Sequence, residues 1–189
     1  YYGFDIACLE FFEWAAPRGW FLATEQCAAP RNAIIKMHHH FSETLGLDEK
    51  EKIEHCKGMQ SREEKEWDSA SVIIAPSPFV KKELINAGAP SHKIKLVPFG
   101  YDSPYDETVI RKKIQPKFED KQGPVRILFA GNSGFRKGIH DLLAVAESLK
   151  GEDVLFVIAG SIEKRCLDLM NSINRSNVVY LGKLNSQEL

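Results

Sequence analysis

The hydrophobic positions in the second half of the chain alternate between strand-like runs and helix-like spacing. Val125–Ala130 is an apolar run of strand length. After a loop, apolar residues recur at the spacing of one helix face, at Ile139, Leu142, Leu143, Ala146 and Leu149. Two further strands, Val154–Ala159 and Asn177–Leu181, are predicted with a helix between them. This order is typical of an open parallel sheet with helices on both faces.

The same alternation precedes this segment. Val72–Ala75 is a short β-branched run that predicts a buried parallel strand. A helix is expected to follow it, because Ser77 is a good N-cap and Pro78 suits the first helical position. Ile94–Val97 then predicts another strand. Strand, helix and strand thus form one unit here.

The first 70 residues carry a different pattern. Phe4–Leu9 and Ala33–Met37 are predicted to be strands. The segment from Asp48 to about Trp67 is predicted to be a surface helix interrupted at Gly58. Its many Lys and Glu residues indicate a solvated helix face.

Residues 102–124 separate the two alternating regions. They begin and end with polar, turn-forming residues, which is typical of a linker. The sequence therefore predicts an α/β protein with two parallel-sheet domains, residues 1–101 and 125–189, joined by this linker.

Composition excludes several classes of protein. The 189 residues carry 25 Lys and Arg against 26 Asp and Glu, and 43% are hydrophobic, which excludes a disordered, collagen-like or coiled-coil chain. A net charge of −1 gives no general attraction to nucleic acid. No apolar run approaches the ~20 residues that a membrane helix needs. The four cysteines lack C-x-x-C spacing, which indicates reduced thiols in a cytoplasmic protein.

One loop combines glycine with positive charge. Residues 131–138, GNSGFRKG, lie between a predicted strand and a predicted helix, where open α/β sheets bind ligands. Gly131 and Asn132 let the backbone approach an anion, and the helix that follows offers free N–H groups. Arg136 and Lys137 add positive charge. The loop predicts a phosphate or diphosphate site; a tight turn with two solvated cations is the alternative.

Gly160 and Ser161 follow the next predicted strand in the equivalent position. A small pair there allows two neighbouring loops to line one crevice, so both residues are predicted to bind the same ligand. A plain helix cap is the alternative.

Three consecutive histidines, His38–His40, follow the predicted strand Ala33–Met37. On an extended chain only His38 and His40 face the same way, and no Cys or acidic residue stands at a suitable spacing beside them. A metal ion shared by His38 and His40 is therefore a disfavoured alternative, and no metal site is predicted. The remaining interpretations are a single imidazole that hydrogen-bonds a substrate at a strand end and a loop cap without further role.

Two passages of the chain resemble group 1 (family 4) glycosyltransferases. The first comprises residues 67–84, WDSASVIIAPSPFVKKEL, and residues 93–102, KIKLVPFGYD. The second comprises residues 127–131, ILFAG, with RKG at 136–138, VIAGS at 157–161 and VYLG at 179–182. Order, separation and strand–loop–helix context all agree with that family over residues 67–189.

The resemblance implies a GT-B fold, in which two Rossmann-like domains face each other. It implies transfer of a hexose from a UDP- or GDP-sugar with retention of configuration, without a metal or other cofactor. Arg136 and Lys137 would hold the donor diphosphate, Gly131 would lie near the donor, and His38 would contact the transferred sugar as the catalytic-site histidine. It also implies a carbohydrate, lipid or other small acceptor, and a cytoplasmic protein that makes peripheral contact with the membrane.

The chain also departs from the family pattern. Asn132 stands where many relatives carry Arg. The glutamate pair of the family would follow the last residue, and its acceptor loop would precede Tyr1. We therefore expect an internal fragment that spans the domain junction and is itself inactive. The alternative is a non-catalytic Rossmann-like module that binds a nucleotide or phosphate.

Overall fold

The computed structural model of the chain describes residues 1–100, 106–108, 123–172 and 176–185. The chain divides into two compact units, Tyr1–Pro104 and Tyr105–Leu189. Each unit contains one parallel β-sheet, so the predicted α/β class with two parallel sheets is confirmed. Of the predicted linker, only residues 106–108 and 123–124 are described. The assignment of residues 102–124 as a linker therefore stays a prediction.

The first unit is built on a parallel sheet with the strand order β1-β2-β3-β4. Its strands are β1 (Tyr2–Phe4), β2 (Ala23–Glu25), β3 (Val72–Ala75) and β4 (Ile94–Leu96). Its helices are α1 (Leu9–Ala15), α2 (Arg31–Leu45), α3 (Lys50–Ser69) and α4 (Pro78–Asn86). Phe12, Leu22, Ile73 and Leu84 are fully buried and form the centre of its core. The carboxyl ends of all its strands lie at one edge of this sheet.

Helix α4 begins where the sequence predicts it. The Val80 N–H donates a hydrogen bond of 3.2 Å to the Ser77 hydroxyl, and Pro78 is the first helical residue. Ser77 therefore caps the helix with its side chain, as expected from the residue types.

Two of the predicted strands are wrong. The predicted strand Phe4–Leu9 is a loop between a strand and a helix. Phe4 is the last residue of β1, Ile6 has a φ of 61°, and α1 begins at Leu9. The segment Ala33–Met37 lies inside α2, which starts after Pro30. A short apolar run does not distinguish a strand from one face of a helix.

Helix α3 also differs from its prediction, because it runs through Gly58 without a break. Two of its acidic residues, Glu63 and Glu66, are fully buried rather than solvated. Glu63 accepts hydrogen bonds of 2.8 Å from the Gln26 side-chain amide and from the Arg31 N–H. These two carboxylates attach α3 to the loops that follow β1 and β2.

Glu66 holds the loop after β1. It accepts hydrogen bonds from the N–H groups of Ile6, at 2.6 Å, and Cys8, at 3.0 Å. The Arg62 guanidinium donates to the Ile6 carbonyl at 2.6 Å. A β-branched residue at positive φ is strained, and these contacts keep Ile6 in that conformation.

The second unit contains a parallel sheet with the strand order β5-β6-β7. The strands are β5 (Val125–Ala130), β6 (Val154–Ala159) and β7 (Val178–Gly182), and the helices are α5 (Ile139–Ser148) and α6 (Lys164–Ser172). Ile139 and Leu143 of α5, Phe156 and Ile158 of β6 and Met170 of α6 are buried. This arrangement agrees with the alternation of the sequence. In the described parts of both units, no helix is both long and apolar enough to cross a membrane.

We expect Glu63 to make stability depend on pH. Burial raises the pKa of its carboxyl above the ordinary value of 4.5. A raised folded-state pKa stabilises the protein below the unfolded value, and this contribution is lost as the pH rises through the folded pKa. The free energy of unfolding of the wild type should therefore fall relative to Glu63→Gln as the pH rises above 4.5.

Urea unfolding between about pH 4.5 and 8 measures this difference. The matched control is Glu54→Gln, which removes an exposed carboxylate from the same helix and should show no comparable divergence from the wild type. Parallel pH profiles of the wild type and Glu63→Gln would contradict the prediction.

Candidate functional site

Glycines with positive φ mark the carboxyl ends of the strands in the second unit. Gly131, Gly160 and Gly182 have φ values of 144°, 128° and 72°. The Gly160 N–H donates to the Gly182 carbonyl at 2.7 Å, and the Tyr180 hydroxyl donates to the Gly160 carbonyl at 3.0 Å. The edge of the sheet where ligands bind in open α/β folds is thus held by a backbone hydrogen bond and by one from a tyrosine side chain.

The loops after β5 and β6 are joined to each other. The Ser133 N–H donates to the Ser161 carbonyl at 2.7 Å, and the Glu163 N–H donates to the Ser133 carbonyl at 3.1 Å. The Ser161 hydroxyl donates to the Asn132 side-chain oxygen at 3.1 Å. The structure therefore brings Asn132 and Ser161 into direct contact. The sequence predicted each of them as a ligand-binding residue on a different loop.

The two loops also touch through their backbones. A Cβ atom on Gly160 would lie only 1.9 Å from the Gly131 carbonyl oxygen. Real Cβ atoms do not approach a backbone atom so closely, so Gly160 can carry no side chain in this arrangement. The absence of a side chain is what allows the two loops to meet.

The two cations lie on a short turn that precedes α5. Phe135–Lys137 form a 3₁₀ turn, and Gly138, at φ 74°, leads into the helix. Phe135 is buried and packs against the His140 ring at 5.3 Å between centroids, whereas Arg136 and Lys137 are exposed. A buried aromatic ring thus fixes a turn that presents two cations beside a helix N-terminus, which is a suitable arrangement for an anion.

His38 does not lie where the sequence placed it. It is a residue of α2 rather than the end of a strand, and it is buried with its Nδ1 atom 2.8 Å from a Glu49 carboxylate oxygen. The strand-end position on which its role was based is therefore wrong, and a contact with the transferred sugar stays a prediction. His38 and His40 also point to different sides of a helix. Within the described residues, no group of three or more His, Cys, Asp or Glu could hold a metal ion.

The first unit contains a polar cluster that the sequence analysis missed. Asp5 follows β1 and accepts hydrogen bonds from the Cys27 N–H, at 3.0 Å, and from the Arg31 guanidinium, at 3.1 Å. Arg31 in turn binds Glu63 through its N–H. An acidic residue directly after a strand was the available signal, but the predicted strand Phe4–Leu9 concealed it.

We predict that Gly160→Ala destabilises the second unit more than Gly131→Ala does. Both substitutions introduce a side chain at positive φ, at a cost of about 1–3 kcal/mol. At Gly131 the added methyl group meets open space, whereas at Gly160 it meets the Gly131 carbonyl, which should add about 1–3 kcal/mol. Urea unfolding of the two variants measures the difference, and equal stabilities would contradict the close contact.

Comparison with known proteins shows the fold. No protein-family model matches the chain, and no curated protein matches it. The chain is similar to solved structures of Anabaena HepE, in complex with UDP-glucose (TM-score 0.56, 18% identity) and with UDP and glucose (TM-score 0.53, 16% identity); each match covers 97% of this chain and 48% of HepE. It therefore spans about half the length of the structures that it matches. The chain has an α/β, GT-B-like fold with Rossmann-type parallel sheets, as predicted.

Proposed function

We propose that the chain acts in a nucleotide-sugar-dependent glycosyltransferase and that its second unit binds the donor. The observation that carries this proposal is the pair of joined loops at the carboxyl edge of β5 and β6, with Arg136 and Lys137 exposed beside the start of α5. The likeness to HepE, whose structures contain UDP-glucose or UDP and glucose, supports the same ligand class for this chain.

The donor diphosphate fits this edge by charge. Its oxygens would bind to Arg136 and Lys137 and to the free N–H groups at the start of α5. When the bond between sugar and diphosphate breaks, negative charge accumulates on the leaving nucleotide. Cations held beside the diphosphate stabilise that charge more strongly in the transition state than in the ground state, which lowers the barrier.

The finer assignments rest on the resemblance to group 1 (family 4) enzymes. They are transfer of a hexose with retention of configuration, a UDP- or GDP-sugar donor, and a carbohydrate or lipid acceptor at the cytoplasmic face of a membrane. The two cations supply the charge neutralisation that a divalent metal provides in other enzymes, so no metal is required. The coupling constant of the anomeric proton in the product, measured by NMR, tests the retention of configuration.

One observation favours the alternative of a non-catalytic nucleotide-binding module. His38, the residue predicted to contact the sugar, is buried beside Glu49. The two functions differ in a direct assay of the whole protein to which the chain belongs: a transferase consumes UDP-glucose in the presence of an acceptor, whereas a binding module retains it unchanged.

We expect Arg136→Ala and Lys137→Ala each to weaken the binding of UDP about tenfold or more, because a hydrogen bond to a charged group contributes about 1.5–3 kcal/mol. Isothermal titration calorimetry on the intact chain measures both affinities. Lys150→Ala removes an exposed cation beyond the other end of α5 and should leave the affinity unchanged. Equal losses in all three variants would argue against a diphosphate site at residues 131–138.

We expect UDP binding to be independent of divalent cations. Arg136 and Lys137 provide the positive charge, so EDTA should not weaken the affinity and added Mg²⁺ should not raise it. Calorimetric titrations of UDP in plain buffer, with EDTA and with added Mg²⁺ test this expectation. A tenfold gain in affinity with Mg²⁺ would show that the two cations are insufficient.

A further inference from the structure

One carboxylate lies against the loop that carries the two cations. Glu163 directly precedes α6, and its backbone N–H donates to the Ser133 carbonyl at 3.1 Å. Its side chain turns back towards the loop after β5, where one carboxylate oxygen lies 2.1 Å from the position that a Cβ atom on Gly134 would occupy. The lack of a side chain on Gly134 therefore makes room for this carboxylate, immediately before the turn that carries Arg136 and Lys137.

The charge of Glu163 is not neutralised by the part of the chain that the structure describes. No residue there donates a hydrogen bond to its carboxylate or forms an ion pair with it. The side chain is half-buried, so solvent and ligands can still reach it. The carboxylates that hold loops in the first unit, those of Glu63 and Glu66, accept hydrogen bonds from the loops they hold. Glu163 accepts none, so holding the loop does not explain its carboxylate.

A carboxylate in this place opposes the binding of an anion. Arg136 and Lys137 attract a diphosphate to residues 131–138, whereas the negative charge of Glu163 repels it. The two cations outnumber the one carboxylate, so the loop still attracts anions. It binds them less tightly, however, than the two cations would without Glu163.

This repulsion increases with the negative charge of the ligand. The diphosphate of a nucleotide-sugar is esterified at both ends, so each of its two phosphates carries a single negative charge. The nucleoside diphosphate that sugar transfer releases has a terminal phosphate, whose second ionisation has a pKa of about 6. The product therefore carries close to one further negative charge at about pH 8. A fixed carboxylate at the loop disfavours the product more than the donor.

We infer that Glu163 sets the preference of this edge between the donor and the nucleotide product. Its carboxylate weakens the binding of UDP more than that of UDP-glucose, so that the product leaves a site whose cations would otherwise retain it. Glu163 thus determines specificity by repulsion rather than by a favourable contact with the ligand. This inference rests on the proposed function of residues 131–138.

Glu163→Gln and Glu163→Met both remove the charge and keep the length of the side chain beside Gly134. Methionine has no polar hydrogen, so it cannot form the new hydrogen bond with a phosphate that glutamine can form. At about pH 8, both variants should bind UDP about tenfold more tightly than the wild type, and UDP-glucose about fivefold more tightly or less. The preference for UDP over UDP-glucose should thus rise about twofold or more. Isothermal titration calorimetry on the intact chain measures these affinities.

The matched control is Glu152→Gln, which removes an exposed carboxylate just before the amino end of β6, at the opposite edge of the sheet, and should leave both affinities unchanged. Equal gains for UDP and UDP-glucose, or unchanged or weaker binding of UDP, would overturn the inference. A gain in Glu163→Gln without one in Glu163→Met would assign the effect to a new hydrogen bond and would overturn it as well. If neither the wild type nor the variants bind UDP or pyrophosphate, the proposed function itself is overturned, and the inference with it.

Discussion

The close approach of Gly160 to the Gly131 carbonyl is the constraint on which the carboxyl edge of the sheet in the second unit depends. Because Gly160 carries no side chain, the loops after β5 and β6 come close enough for Ser133 to hydrogen-bond Ser161. That pairing extends the parallel ladder beyond the strands, with an isolated parallel bridge between Ser133 and Ile162 just before α6. This backbone contact and the buried Phe135 ring together set the position of the turn that carries Arg136 and Lys137.

The first unit fixes the same edge of its sheet in a different way. There the buried carboxylates of Glu63 and Glu66, both on α3, accept hydrogen bonds from the loops that follow β1 and β2. Burial of a carboxylate is unfavourable unless hydrogen bonds compensate it. Burial still raises the pKa of both carboxyls, so their hydrogen bonds do not compensate it fully. The loops at the carboxyl edge of the sheet are thus held by buried carboxylates in the first unit and by the close backbone contact at a glycine in the second.

The sequence predicted the second unit well because its strands and helices have local signals. β5, β6 and α5 each carry a run or spacing that needs no knowledge of the rest of the fold, and Gly131–Gly138 stands out by composition. The first 70 residues lack such signals. Ala33–Met37 fits a helix face as well as a strand, and only the start of α2 after Pro30 decides between them. The burial of Glu63 depends on Gln26, which is 37 residues away in the sequence, and no local pattern reports it.

In the proposed site, the exposure of Arg136 and Lys137 on a turn fixed by Phe135 would affect how an anionic ligand arrives as well as how it is held. Charges in solvent act over a Debye length of about 8 Å at physiological ionic strength, so these two cations attract an anion before any contact forms. Among the residues that the structure describes, none forms a hydrogen bond or an ion pair with either side chain. The association rate at this edge should therefore fall steeply as salt is added, whereas dissociation, which depends on the contacts once formed, should change much less.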